Sequence, residues 1–508
     1  MSGPSRRAVL KALGVVGVGS GLVYGTYSVS PSSDTDASEA TETRTATATA
    51  AATTTASPTA TATEPTTRTT TRTATETETP TPTPSTWRLE PAGRSSLASI
   101  GVGFAEGTVR ADGRYAAVGT WFVGTGSYLV DLNDPSAPEP VHHLPAGDGV
   151  TCLDVTFGPF DGLYCRTTRP AGGTGVEIVD YGFAEGAPAS PTVIGTLDAG
   201  TTHNLHVRPD EATVYTVNYG DDPNENGVDV WTVADPRSPH ERGSIGPPGT
   251  VHDVVYDPER QFLHCAYMGE QNGGYVILDV SDPPGATEVG RFDYAEHDGY
   301  ADNAVGEEGF ENCHYALPDP RRDLVVVGDE RSYGVPGGKH VFDIGWGDGS
   351  PANPIPVGFT VSPNAKRMDS DGDGDGRDDE TERFDWTGHQ FDIVPLPDAT
   401  LLVSGDWHEG TVLYDITDPT NPQPIDTHRT DATRVERPSE RLAAFGDPPM
   451  AYSSDYCRSR GFALTSDLLT GLYTYRIEGV AEPERSGDTE TGAATDAGTP
   501  STTTADRG

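Results

Sequence analysis

One short phrase recurs along this chain and constrains its fold more than any other feature. It consists of an apolar strand, an aspartate, one or two further residues, Asp-Pro and a second short strand. Clear copies lie at 128–135, 228–236, 275–283 and 412–419, and weaker copies lie at 176–180, 340–343 and 472–475. Self-similarity at a period of roughly 45 residues, carried by strands and turns, is typical of a propeller or a solenoid.

The residues around each copy supply the other strands of a propeller blade. A hairpin with a polar, proline-bearing turn precedes the clear copies, and a short outer strand follows them, as at 288–292. We therefore predict an all-β fold, a seven-bladed β-propeller of four-stranded antiparallel blades. The predicted units are 95–145, 148–198, 200–247, 249–295, 310–360, 387–428 and 448–478.

The last unit lacks a convincing outer strand, whereas the segment Trp87–Glu90 stands before the first unit without a partner. We predict that this segment pairs with the unit at 448–478. Such pairing closes the ring and shields edge strands that would otherwise pair with neighbouring molecules.

The repeated phrase resembles the LVIVD repeat, a β-propeller blade of bacterial and archaeal surface proteins. The resemblance covers most of residues 95–478, because the aliphatic run, the Asp and the Asp-Pro turn recur in order. His203-Asn204-Leu205 and His252-Asp253 also look like the strand starts of the choice-of-anchor type of these proteins. The resemblance implies the propeller fold and a surface location, but no single activity.

The two ends of the chain have a different character from the propeller at 87–480. Residues 1–30 hold a twin arginine, Arg6-Arg7, before an apolar stretch, which resembles a Tat export signal; a retained N-terminal membrane anchor is the alternative. Residues 31–86 are nearly all Thr, Ala, Ser, Pro and Glu, and residues 481–508 repeat that character. We predict a disordered stalk and a disordered tail, with the protein outside the cell or on its surface.

The charge of the chain restricts its partners. The formal net charge is −43, and lysine occurs only three times. Such a charge opposes binding to nucleic acid and to anionic lipid, and it is typical of a surface adapted to high salt, as in halophiles. We expect a surface protein, a glycan or a small molecule as the partner, with a membrane contacted only through the N-terminal anchor.

An odd number of cysteines, five in all, without a CxxC pair, indicates neither a zinc ribbon nor a full disulfide framework. One or two disulfides are compatible with an extracellular location.

Histidines recur at one position of the inner strands. His203, His252, His314 and His389 are each followed six residues later by a proline, so we expect the four imidazoles at one rim of the central channel. The other units offer Ala105, Leu153 and Ser453 at this position. Return strands end at the same rim and bring the further candidates Asp329, Asp406 and His408 there.

Two interpretations of these histidines are open. Imidazole is the commonest transition-metal ligand in proteins, and carboxylates complete such sites. Alternatively, a repeat protein duplicates a structural histidine that bonds its own blade. A propeller with several channel histidines is also similar in layout to the selenium-binding/methanethiol oxidase family, whose resemblance implies copper; the wider motifs of that family are absent.

A second constellation predicts calcium. Residues 369–382 are rich in aspartate and glycine, and the stretch from residue 371 fits the pattern D-x-D-x-D-G-x5-E. The predicted ligands, in order along the loop, are Asp371, Asp373, Asp375, Arg377 through its carbonyl, Asp379 and Glu382. A register two residues earlier also fits, and a solvated acidic loop is the alternative.

These observations favour an exported binding or interaction module that calcium stabilises, rather than an enzyme. The alternative is a metal-dependent enzyme, possibly a copper redox enzyme, that uses the histidine-lined channel. No G-x-S-x-G, P-loop or H-E-x-x-H motif points to another chemistry.

Overall fold

The fold was determined as a computed structural model. It describes residues 87–97, 103–121, 125–147, 150–168, 175–219, 226–268, 273–296, 313–330, 337–365, 388–431 and 448–480. No helix within these ranges is long and apolar enough to cross a membrane.

Seven four-stranded antiparallel sheets form a ring, as predicted. Each sheet is one blade, and the blades are numbered one to seven along the chain. Blade one is β2 (Phe104–Val109), β3 (Tyr115–Thr120), β4 (Ser127–Asp131) and β5 (Glu139–Leu144), and blade two is β6 (Val155–Phe157), β7 (Leu163–Thr168), β8 (Gly175–Asp180) and β9 (Thr192–Asp198). Blade three is β10 (Leu205–Arg208), β11 (Thr213–Val217), β12 (Asn226–Thr232) and β13 (His240–Pro248), and blade four is β14 (Thr250–Asp257), β15 (Phe262–Met268), β16 (Gly274–Asp279) and β17 (Thr287–Asp293). Blade five is β18 (Cys313–Pro318), β19 (Leu324–Asp329), β20 (Lys339–Asp343) and β21 (Ile355–Thr360), and blade six is β22 (Gly388–Pro395), β23 (Thr400–Asp406), β24 (Gly410–Asp415) and β25 (Gln423–His428). Blade seven is β26 (Ala451–Cys457), β27 (Phe462–Asp467), β28 (Gly471–Glu478) and β1 (Arg88–Ser95).

Blade seven closes the ring with the first strand of the chain. β1 pairs antiparallel with β28, with Arg88 opposite Glu478 and Ser95 opposite Leu472. The closure predicted for Trp87–Glu90 is confirmed, and the pairing strand extends further, to Ser95.

The core lies between neighbouring blades. Val230 of blade three packs in one cluster with Leu263 and Val276 of blade four, and Phe104 of blade one clusters with Leu464 of blade seven. The two central strands of a blade are therefore buried on both faces, which explains the uninterrupted apolar runs of the repeated phrase.

The aspartates of the phrase close the turns that follow the third strand. Asp279 accepts a hydrogen bond from the backbone N–H of Ser281 at 2.9 Å, and Asp415 accepts one from Thr417 at 2.9 Å. The aspartate before the proline does the same, since Asp418 accepts a bond from the N–H of Thr420. In these copies the phrase therefore marks a side-chain-capped turn.

All five cysteines are buried and free. Burial raises the pKa values of Cys152 and Cys165 to about 12, so these thiols are held protonated and act as small apolar groups of the core.

Candidate metal centre

The four predicted histidines lie side by side on four consecutive blades. Ring centroids are 4.5 Å apart between His203 and His252, 3.7 Å between His252 and His314, and 4.3 Å between His314 and His389. All four side chains are buried. They therefore form one continuous arc of imidazoles, which we call the histidine arc.

β-Bulges at the start of the inner strands place three of these side chains. The pairing register of blade four shifts between Val251 and Asp253, around His252. The register of blade five shifts in the same way around His314, and that of blade six shifts around His389. A bulge bends the strand and re-aims a side chain, and here it occurs where the histidine side chains meet.

The same bulge corrects one sequence prediction. In blade seven the register shifts between Ala451 and Ser453, so the residue equivalent to the histidines is Tyr452 and not Ser453. Its ring lies 4.1 Å from that of His389. Tyr452 therefore continues the histidine arc into blade seven.

His252, His314 and Glu330 bring their ligand atoms together. One ring nitrogen from each histidine and one carboxylate oxygen lie within 4.8 Å of one another. The Nε2 atom of His314 lies 3.4 Å from an oxygen of Glu330, and both side chains are buried. Two imidazoles and a carboxylate form a donor set that transition metals prefer.

A backbone contact sets the tautomer of His252. Its Nδ1 atom lies 2.9 Å from the carbonyl oxygen of His314. Because a carbonyl only accepts hydrogen bonds, Nδ1–H is the donor, and Nε2 carries the lone pair. Metal-binding histidines commonly donate their other ring N–H to a backbone carbonyl in this way.

His314 is held in a state suited to a ligand. Its ring is fully buried, and neither of its nitrogens has a hydrogen-bond partner within the described ranges. Burial, followed by the neighbouring imidazoles, holds its pKa well below the usual value. Burial likewise raises the pKa of Glu330 well above its usual value. A metal ion would bind a neutral imidazole directly and would displace the proton of the acid.

Aromatic rings flank both ends of the histidine arc. Tyr219 stacks on His203 with centroids 4.5 Å apart, and Trp407 stacks on His389 at 5.1 Å with an interplanar angle of 11°. These rings fix the outer two imidazoles and surround the arc with apolar surface.

A second layer of polar side chains lies one residue further along the inner strands. The amide nitrogen of Gln390 donates to Glu106 at 2.9 Å and to Asp253 at 3.2 Å. Blades one and four are three steps apart in a ring of seven, the greatest separation possible, so this amide bridges the channel. Burial, and then the charges of Asp154 and Asp253, raise the pKa of Glu106 well above its usual value.

The other predicted rim residues have partners of their own. Asp329 accepts hydrogen bonds from His340 at 2.9 Å and from Tyr294 at 2.7 Å. Asp406 forms a buried ion pair with Lys339 at 2.9 Å. Asp329 is therefore bonded to the adjacent strand β20 of its own blade, whereas Asp406 of blade six is paired with β20 of blade five.

His408 lies in the turn between β23 and β24. It is 7% exposed, and its backbone is left-handed with a φ of 61°.

The predicted calcium ligands Asp371, Asp373, Asp375, Arg377, Asp379 and Glu382 lie outside the described residues.

Glu330 is a candidate site residue that the sequence prediction passed over. It directly follows Asp329 at the end of a return strand. The strand position that predicted Asp329 at the channel rim therefore applied equally to Glu330. Side chains alternate in direction along an extended chain, and it is the second acid of the pair that reaches His314.

One family model matches part of the chain. The LVIVD repeat model matches residues 265–294, which span the second to fourth strands of blade four. No curated protein sequence matches the chain.

Among solved structures, the chain is similar to the Cps50 (Swd1) β-propeller domain of Myceliophteria thermophila. The identity is 8%, the match covers 76% of this chain and 98% of that one, and the TM-score is 0.46. It is also similar to a functionally unknown protein from Desulfotomaculum acetoxidans, with 13% identity, 64% and 86% coverage and a TM-score of 0.43. Neither likeness carries a conclusion about function.

Proposed function

We propose that this LVIVD-repeat β-propeller is a metalloprotein that binds one transition-metal ion at its channel rim through His252, His314 and Glu330. The observation that carries the proposal is the convergence of their three ligand atoms within 4.8 Å. The hydrogen bond from His252 to the backbone of His314 adds support, because it presents the lone pair of Nε2 for coordination.

This ligand set favours chemistry over a purely structural role for the metal. Structural zinc sites use four protein ligands, whereas catalytic sites use three and leave a position for water or substrate. A bound metal would supply Lewis acidity or electron transfer at that open position. His203 and His389 border the ligands on either side and would orient a small molecule bound there.

Metal titration tests the proposal directly. The purified protein is stripped with a mild chelator, and Co²⁺ binding is followed by its visible absorption. We expect one equivalent to bind, and Glu330→Gln to weaken binding at least tenfold, since it removes a ligand while preserving side-chain shape.

The matched control is His142→Gln, which alters a histidine of the outer strand β5. This variant should bind Co²⁺ like the wild type. Equal Co²⁺ binding by Glu330→Gln and wild type, or no Co²⁺ binding by either, would refute the metal centre and leave a metal-free binding module.

The proposed location is the cell exterior, with export through the Tat pathway. The support is the twin arginine at Arg6 and Arg7 and the stalk-like composition of 31–86. Replacing both arginines by lysine should keep the protein inside the cell, which fractionation and immunoblotting would measure.

A further inference from the structure

Two loops of the propeller repeat a motif that differs from the Asp-Pro turn of the other blades. They lie between the third and fourth strands of blade two, at 180–190, and of blade five, at 343–353. Both read D-x-G-[FW]-x-[DE]-G-x-P-A-x. We call them the aromatic loops.

The aromatic loops share one backbone structure. Asp180 accepts hydrogen bonds from five successive backbone N–H groups, at 182–186. Asp343 accepts four in the corresponding loop, from 345, 346, 347 and 349. An isolated β-bridge then closes each loop. It joins the seventh and the tenth residue after the aspartate, which are Ala187 and Ser190 in one loop and Ser350 and Asn353 in the other.

The glycine at the sixth position after each aspartate is explained by this structure. A Cβ atom on Gly186 would lie 2.1 Å from the carbonyl oxygen of Asp180, and one on Gly349 would lie 2.2 Å from that of Asp343. The aspartate and this glycine are therefore required by the turn itself.

The aromatic residue and the acid of the motif project from the turn. Phe183 is 38% exposed and Trp346 is 47% exposed. Two residues after each aromatic stands an exposed acid, Glu185 and Asp348 respectively. Each loop thus exposes an aromatic side chain and, two residues later, an acid. The ring of Phe183 also packs against Phe160, with centroids 5.6 Å apart.

Both loops lie on the face opposite the histidine arc. The histidines stand at the start of inner strands, and the third strand of a blade runs parallel to the inner strand, so its end reaches the other rim. Each aromatic loop is therefore separate from the candidate metal centre, and the two loops, on blades two and five, are two separate sites.

We propose that the aromatic loops dock a basic polypeptide segment. An arginine or lysine side chain lies over the ring of Phe183 or Trp346, and the neighbouring carboxylate of Glu185 or Asp348 pairs with its charge. Aromatic faces attract cations, and the net charge of −43 draws a basic partner toward this surface.

The test uses a fluorescein-labelled hexa-arginine peptide and fluorescence anisotropy at about 0.15 M salt, where long-range attraction is screened. Phe183→Leu combined with Trp346→Leu keeps apolar surface but removes both rings. Each site loses one exposed cation–π contact, so we expect this variant to bind the peptide roughly twofold to fivefold more weakly. Glu185→Gln combined with Asp348→Asn should also weaken binding and should reduce its salt dependence.

The matched control is Glu259→Gln combined with Asp282→Asn, which removes two exposed acids from the same rim of blade four. We expect its affinity to match that of wild type within the error of the measurement, since the proposal assigns these acids no contact with the peptide. The proposal is overturned if wild type does not bind the peptide, if the leucine variant binds it like wild type, or if this control loses as much affinity as the loop-acid variant. Thermal melting checks that each variant is folded. We expect every variant to melt close to wild type, because the substituted side chains are exposed.

Discussion

The Nδ1 atom of His252 donates a hydrogen bond to the backbone oxygen of His314 across 2.9 Å. The two residues occupy equivalent β-bulges on neighbouring blades. One contact therefore joins blade four to blade five, sets the tautomer of the first imidazole and brings the second beside it.

The ring closure can be tested at Leu89. This side chain of β1 is buried and packs in one cluster with Tyr475, Ile477 and Val394. We expect Leu89→Ala to lower the free energy of unfolding by about 2–4 kcal/mol, because it leaves a cavity in that cluster. The neighbouring exposed Arg88→Ala should change it by less than about 0.5 kcal/mol. Urea titration measures both, and equal effects would contradict a structural role for β1.

The ion pair between Lys339 and Asp406 gives a second prediction. Both groups are buried, so Lys339→Met leaves the Asp406 carboxylate without its counter-ion, although Ser362, Ser404 and Tyr414 still donate hydrogen bonds to it. The variant should destabilise the fold by about 3 kcal/mol, the lower end of the range for breaking a buried ion pair. Adding Asp406→Asn should recover part of that loss, since it removes the isolated charge. A double-mutant cycle measured by urea unfolding decides the matter; purely additive effects would show that the two groups do not interact.

The aspartates of the aromatic loops predict a dependence of stability on pH. The backbone N–H groups around the Asp180 and Asp343 carboxylates hold their pKa values below the usual range, against the opposing effect of burial. A lowered folded-state pKa contributes stability above the unfolded pKa of about 3.9, and this stability is lost as the pH falls toward the folded value.

Asp180→Asn should therefore cost about 1.5–3 kcal/mol at pH 7, the range for hydrogen bonds to a charged group. The difference from wild type should shrink below about pH 4. Denaturant unfolding at pH 7 and pH 3 measures the change, with Asp131→Asn as a control at a simpler turn of the same type. If the unfolding free energies of Asp180→Asn and wild type differ by the same amount at both pH values, the charge of Asp180 contributes nothing to stability.

Calcium binding by the Asp-rich stretch at 369–382 remains a prediction. We expect Ca²⁺ to raise the melting temperature of the wild type, and we expect Asp371→Ala combined with Asp375→Ala to abolish that rise. At a hundredfold excess over its dissociation constant, one bound ion stabilises the fold by about 2.7 kcal/mol. If the double variant retains the full shift in a thermal melt, the stretch is not the calcium site.

The sequence predicted the blades because the repeated phrase marks a local turn, and local turns can be identified from neighbouring residues. Asp279 and Asp415 cap their turns within two positions. The closing strand was predictable for a related reason, since a ring with one missing strand needs a partner from the other end of the chain.

The candidate site was less fully predictable because its contacts join different blades. The constant offset from histidine to proline placed the four imidazoles at one level, but no local signal revealed the bulge that puts Tyr452 in place of Ser453. The choice between Asp329 and Glu330 depended on side-chain direction at the end of a strand. Asp329 bonds to His340 on β20, the third strand of blade five, whereas Glu330 lies beside His314 near the channel.

The most direct measurement of the central claim is an X-ray absorption spectrum of the protein loaded with one equivalent of Zn²⁺. The account predicts two imidazole nitrogens at about 2.0–2.1 Å and a carboxylate oxygen at about 2.0–2.2 Å. It also predicts loss of the imidazole scattering in His252→Ala combined with His314→Ala. A shell of oxygen atoms without imidazole scattering in the wild type would contradict a metal centre built from His252, His314 and Glu330.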